Sequence, residues 1–276
     1  MNANGTKNIL HKIPWLNGIE LFDANQTQHS YVRHAHAGFA IGAIRQGVGG
    51  NWYRGASHTL PPQTLNLMNP EEAHTGHELT NDLRYSMIYV SEDGVQDLLG
   101  IKRLRGFKEL NAPDPDLKLI TEIVALTDAL GSDETYRARR MFIEECVHTV
   151  LGLVFMRYGG QSTRPGGEEP VAVRRAKTLI EAHVINQPDQ DITINDIARE
   201  VGLKSNYLIQ SFSRTMGVSP HAYLMQRKIC RAKEMLGQGH RAIDVATALG
   251  FYDQPHFIRH FRKVTGVTPG AMRVHL

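Results

Sequence analysis

The chain has 276 residues, room for two domains of ordinary size, and its 41% hydrophobic and 21% charged residues are the balance of a globular protein. No apolar run reaches a membrane span, and the first residues lack the apolar core of a signal peptide, so the expected setting is the cytoplasm, away from membranes. The net charge of +3 hides an asymmetry: from Pro170 onward 15 Lys+Arg stand against 8 Asp+Glu, while residues 1–169 carry 16 against 20, which makes the C-terminal part the candidate polyanion binder.

Residues 9 to 90 read as strands. Short apolar or alternating runs occur at Gly18–Phe22, Tyr31–Ile44, Gly50–Arg54, Thr64–Met68 and Arg84–Val90, with Gly, Pro and Asn between them. Many short strands with turn signals suggest a barrel or jelly roll. Within them His34 and His36 stand at i, i+2, so on one strand both project from the same face. A third histidine, His74, follows a predicted strand end. Trp52, Tyr53 and Arg54 supply an aromatic and a cation that could close over a small polar molecule.

Residues 91 to 100 read as a short turn or helix. Lys102, Arg103, Arg105 and Lys108 form a basic cluster to which no role is assigned. Two helices are expected next. The first runs from Asp116 to Leu130. The second starts at Ser132-Asp133-Glu134 and ends near Tyr158, with Met141, Phe142, Cys146, Val147, Val150, Leu151, Val154 and Phe155 as a broad apolar stripe. That stripe is wide enough to cover a barrel and leave a surplus for a second subunit. Residues 159–169 are Gly/Pro/polar and read as a linker. Cys146 and Cys230 fall on predicted helices far apart in sequence and read as reduced thiols.

The last third contains one unit twice. Gly202 is echoed by Gly250 at an offset of 48, and Phe212 and Pro220 by Phe261 and Pro269 at 49. Each copy reads as a helix-turn-helix: a short helix ending at Gly, a tight turn, then a helix of about three turns. Thr193 to Asp196 fits a capping box, and Asp253 fits an N-cap. Leu208 and Phe212 face inward in the first copy, Phe257 and Phe261 in the second. Asn206, Ile209, Gln210 and Ser211 are assigned to other faces. Ser219-Pro220 opens a long helix between the copies, and Thr268-Pro269 repeats that start for a final short helix.

This pattern resembles the AraC/XylS family of bacterial transcription regulators. The matching residues include Ile197-Ala198, Leu208, Phe212, Gly217-Val218-Ser219-Pro220, Val245-Ala246, Gly250-Phe251, Phe257, Arg259, Phe261 and Gly266-Val267-Thr268-Pro269. The resemblance implies seven helices in the last part. It also implies two recognition helices in successive major-groove segments, roughly 34 Å apart. Upstream, Arg33 to His36 and Leu67 to His74 resemble the cupin-type effector-binding domain often joined to that unit. The expected fold is thus α+β in two domains. Residues 1–158 form a cupin-like sensor, with its barrel at about 10–90 and a helical dimerisation segment at about 116–158. Residues 170–276 form an all-α double helix-turn-helix.

The expected function is sequence-specific transcription regulation, as an activator, controlled by a small-molecule effector. Base contacts are assigned to Asn206, Ile209 and Gln210 in the first unit and to Gln254, His256, Ile258 and Arg259 in the second, with Arg214 and Arg262 on phosphates. His34, His36, Trp52 and His74 are the effector-binding candidates. Catalytic cupins hold a metal through a His-x-His pair, a Glu and a later His. His34, His36 and His74 match three of those positions, but Ala40 stands where the Glu belongs, so no metal or other cofactor is assigned. The expected partners are double-stranded DNA, the effector, a second copy of the chain and, for an activator, RNA polymerase. The alternatives are a metal-dependent cupin enzyme with a DNA-binding tail, or a regulator controlled by a protein partner.

Overall fold

The structure is a computed structural model that describes residues 8–25, 30–101, 104–130, 136–160, 170–190 and 192–274. Most of the expected linker at 159–169, the start signal at Ser132 to Glu134, and Lys102 and Arg103 lie outside the described residues.

The N-terminal part is built from β1 (Ile9–Lys12), β2 (Ile19–Asn25), β3 (Tyr31–His34), β4 (Phe39–Gln46), β5 (Gly49–Tyr53), β6 (Ala56–Leu60), β7 (Thr64–Met68), β8 (His74–Glu78), β9 (Arg84–Val90) and β10 (Asn111–Pro113). Three helices join them: α1 (Glu92–Leu99), α2 (Lys118–Leu130) and α3 (Tyr136–Tyr158). One sheet runs β10-β7-β4-β9-β2-β1 and ends on β11 (Met272–Val274); the other runs β3-β8-β5-β6. No ladder among the described residues links the two, so the expected barrel is two separate sheets.

Alternation on the central strands decides what each face does. Ile41, Leu65, Leu67, Ile88 and Val90 point to one side and pack against α2 and α3. There Phe39 meets Phe107 and Phe155 edge-on, with ring centroids 5.3 and 5.0 Å apart. Cys146 is buried in this layer, where burial and the nearby Glu122 push its thiol up to about 12, which fits the expected reduced thiol. The intervening residues Asn66, Met68, Met87 and Tyr89 point to the other side.

The run read as one strand over Tyr31–Ile44 is two strands. The chain breaks at residues 35–38 before β4, and Gly38 there passes so close to the Val90 carbonyl that a Cβ would collide with it. β5 stops at Tyr53: Arg54 and Gly55 both take positive φ, 50° and 86°, in a two-residue turn into β6.

The C-terminal part holds α4 (Val171–Asn186), α5 (Ile194–Glu200), α6 (Ser205–Met216), α7 (Pro220–Gly237), α8 (Ala242–Ala248) and α9 (Gln254–Thr265). The local start signals act as read: Thr193 and Asp196 close a capping box, Ser219 caps α7 with Pro220 in its first turn, and Asp253 caps α9. Two expectations fail. Ser211 is buried, because it lies three residues from Leu208 on the same helical face. Thr268-Pro269 opens a single 3-10 turn, Pro269–Ala271, in place of a seventh helix; the chain then extends as β11 and pairs in parallel with β1.

Candidate functional site

The second sheet and the polar face of the first flank a partly open cavity. Its apolar lining is Ile44, Leu60, Met68, Leu83 and Met87, and its polar lining includes His34, His36 and His74 with Tyr31, Tyr85 and Tyr89. The two sets interleave: Tyr85 pairs with Ile44, and Tyr89 and Met68 both pair with Ala40. His34 ends β3, His36 sits in the break after it, and His74 begins β8, so the three meet through the pairing of His34 with His74 and not through a shared strand face. Their ring centroids are 4.4 to 4.9 Å apart.

The neighbours of the rings fix their tautomers. Nδ1 of His34 lies 2.7 Å from the Val32 carbonyl and Nδ1 of His74 lies 2.9 Å from that of Glu72. A carbonyl only accepts, so each Nδ1 carries a proton, and on neutral His74 Nε2 is left as an acceptor. His36 Nε2–H then donates to His74 Nε2 at 3.2 Å. Burial, then the neighbouring His34, hold His74 down to about 3; burial, His34 and His74 hold His36 well below the ordinary histidine value. Burial raises the hydroxyls of Tyr31, Tyr85 and Tyr89. Among the described residues the trio could hold a metal ion, with ligand atoms within 4.8 Å of one another, and buried Ala40 supplies no fourth ligand.

Trp52 is not part of this cavity. Asn51 and Tyr53 turn inward on β5, so alternation sends Trp52 outward, where the Arg33 guanidinium lies 4.3 Å from its ring centroid. Arg54 does not close over the cavity either: it grips Glu72 at 2.8 and 3.0 Å and donates to the Lys108 and Phe107 carbonyls. Sequence reasoning missed Asn51 and Asn66. The alternation of β5 and β7 was the signal that both point inward.

The second candidate surface is the outer side of α6 and α9. On α6, Asn206, Tyr207, Ile209, Gln210 and Arg214 are exposed, opposite buried Leu208 and Phe212. On α9, Arg259, Arg262 and Lys263 are exposed, while Gln254, His256 and Ile258 are half-buried. Ile258 packs on the core of its unit, and the His256 ring rests against His260 and Phe251. Tyr207 was missed, although the 49-residue repeat pairs it with His256; it is 58% exposed.

Residues 16–147 match the family of the AraC-like ligand binding domain, and residues 197–275 match a helix-turn-helix domain family. The chain belongs to the AraC/XylS family of transcription regulators. An uncharacterized HTH-type transcriptional regulator of Bacillus subtilis, YbfI, is 26% identical over 86% of this chain and 85% of its own. Among solved structures, an apo variant of ToxT from Vibrio cholerae shares the fold with a TM-score of 0.56 at 13% identity, covering 92% of this chain and 96% of that one. Wild-type ToxT with an unsaturated fatty acid bound gives 0.54 at 15% identity, covering 98% and 95%. The chain is therefore a DNA-binding transcription regulator with a ligand-binding domain. No described helix is long and apolar enough to cross a membrane.

Two predictions follow from this geometry. Between about pH 3 and the ordinary histidine value near 6.5, the unfolded chain binds a proton at His74 that the folded chain refuses. Stability therefore falls as pH drops through that window, and His74→Gln should flatten the dependence in urea titrations run from pH 7 to pH 4. On a selected DNA site, Arg259→Ala should cost about 1–3 kcal/mol and relax preference at one base, whereas Arg214→Ala should weaken all sequences alike and lower the salt slope by about one.

Proposed function

We propose that the cavity binds the effector and that its wall transmits occupancy to both helix-turn-helix units. The carrying observation is that the last residue of each recognition helix is followed by a glycine set against that wall. Gly217 after α6 and Gly266 after α9 take φ of 73° and 78°. A Cβ on Gly217 would lie 2.5 Å from that of Ala73, next to His74, and one on Gly266 would strike the hydroxyl of Tyr31. Tyr31 and His74 both line the cavity. Ion pairs from Lys177 to Glu71 and from Lys233 to Glu20 join the same two parts, and the β1–β11 pairing adds a third tie. A ligand that repositions Tyr31 or His74 thus moves the surfaces on which α6 and α9 end.

In this reading the exposed faces of α6 and α9 enter successive major-groove segments. Asn206, Tyr207, Gln210 and Arg259 read bases, while Arg214, Arg262 and Lys263 hold phosphates. The protein acts as an activator, which calls for contact with RNA polymerase, and works in the cytoplasm without enzymatic activity. It pairs with a second copy through α3, on which Met141, Phe142 and Met156 stay exposed, at 67, 41 and 72%, after the rest of the stripe is buried. Sedimentation of Met156→Glu beside the unaltered chain checks that pairing: a dimer that persists unchanged rules this face out.

The test of the regulator reading is genomic DNA selection with the purified chain, followed by affinity against salt on the best fragment. Two short elements one helical turn apart are expected. Tyr31→Ala, far from the DNA face, should weaken binding several-fold by loosening units now held in place, and Trp52→Ala should not. Equal affinity for all three chains removes Tyr31 from the relay, and sequence-indifferent binding with and without cell extract sinks the specific-regulator reading.

A further inference from the structure

We propose that the effector is an uncharged molecule that carries both an apolar ring or chain and a hydrogen-bonding group, and that the cavity discriminates against carboxylates and other anions. This rests on the reading of the cavity as the effector site. No Lys, Arg, Asp or Glu is among the described residues that line it. Neighbouring cations are engaged elsewhere: Lys233 pairs with Glu20, Arg54 with Glu72, and Arg33 lies over the outward face of Trp52. An anion entering here would surrender its hydration with no opposite charge in return.

The histidines do not fill that gap. His34 and His74 each commit an Nδ1–H to a backbone carbonyl, and His36 donates to His74. Charging any one of them places a buried cation against two rings less than 5 Å away. The acid headgroup of a fatty acid, such as the ligand in the ToxT structure, therefore finds no cationic partner among these residues.

Asn51 shows what the cavity asks for instead. It is 1% exposed, and its Nδ2 donates to Asn66 Oδ1 at 3.2 Å, but its Oδ1 is buried without a hydrogen-bond partner. Turning the amide over exchanges an unmet acceptor for an unmet donor. Either way one neutral polar group at the wall lacks a protein partner, a deficit that a ligand hydroxyl or amide corrects. Ile44, Leu60, Leu83 and the thioethers of Met68 and Met87 supply the apolar lining, where soft Met side chains adapt to an aromatic or aliphatic shape.

The two methionines also supply the assay. The full chain labelled with carbon-13 at its Met methyl groups is titrated at pH 7.5 with a matched pair, 2-naphthalenemethanol and 2-naphthoate. The alcohol should shift Met68 and Met87 saturably and bind at least tenfold more tightly than the carboxylate. Asn51→Leu, checked for an unchanged melting temperature, should weaken the alcohol at least fivefold. Equal or tighter binding of the carboxylate overturns the charge inference while leaving the cavity as effector site, and an alcohol affinity indifferent to Asn51→Leu overturns the role of Asn51. If neither probe moves either methyl, the cavity reading itself fails and this inference with it.

Discussion

The strict alternation of side chains on β4, β7 and β9 is the constraint on which the rest of the sensor depends. Three adjacent strands must send every second residue into the dry layer under α2 and α3, and the remainder into a space that holds tyrosine, asparagine and histidine. A slip of one residue on any of them would put Asn66 or Tyr89 into the helix layer and Leu67 or Ile88 into the cavity. Pairing of β9 with β2 along its whole length, and with β4 in register from Phe39 to Ile44, opposes that slip. Ser86 is the exception that tests the rule: it falls on the helix side and finds the Thr127 hydroxyl at 3.2 Å, so the buried polar group is satisfied.

The cavity is costly to the fold in a way a binding site must be. A core of the same size filled with aliphatic side chains would be more stable. Here the space is held open from behind by close approaches: Gly42 faces Met87 and Asn66, and Gly50 faces His77, where larger side chains would fill the volume. Polar groups remain on the wall, with three imidazoles satisfied mostly by backbone and by each other. Such a wall is stable only while its hydrogen bonds stay mutually consistent, which makes it responsive to any molecule that offers a better set.

What the sequence disclosed, and what it concealed, divides by the range of the interactions involved. Thr193, Ser219 and Asp253 act on groups three residues away, and the repeat of Gly217 and Gly266 preserves a local backbone need, so both were readable in isolation. The short helix at 92–99 likewise rests on its own Ser91 cap. By contrast, β11 exists only because β1 offers an edge some 260 residues earlier in the chain. His36 joins His34 and His74 through the pairing of β3 with β8, 38 to 40 residues apart in the chain. Trp52 was assigned to the cavity from its residue type, yet its place outside follows from the parity of its neighbours Asn51 and Tyr53. Ser211 is expected off the Leu208–Phe212 face, although its three-residue spacing from Leu208 implies the burial that it shows.

The junction between sensing and reading halves is built of parts that are individually weak. Ion pairs such as Lys177–Glu71 and Lys233–Glu20 are mostly buried, so their attraction is largely offset by the hydration they give up, and the β1–β11 ladder spans only three residue pairs. The continuous apolar cluster is the stronger link: Phe22, Met68 and Met87 beside the cavity belong to the same cluster as Ile229, Phe257 and Phe261 under α9. Such a junction is firm enough to define one arrangement and weak enough to leave others within a few kcal/mol. That is the range in which the binding energy of a small ligand can shift the balance between states. A wholly apolar interface of large area would lock the halves together, and a bare linker would leave them independent. The mixture seen here gives the cavity leverage over the two recognition helices.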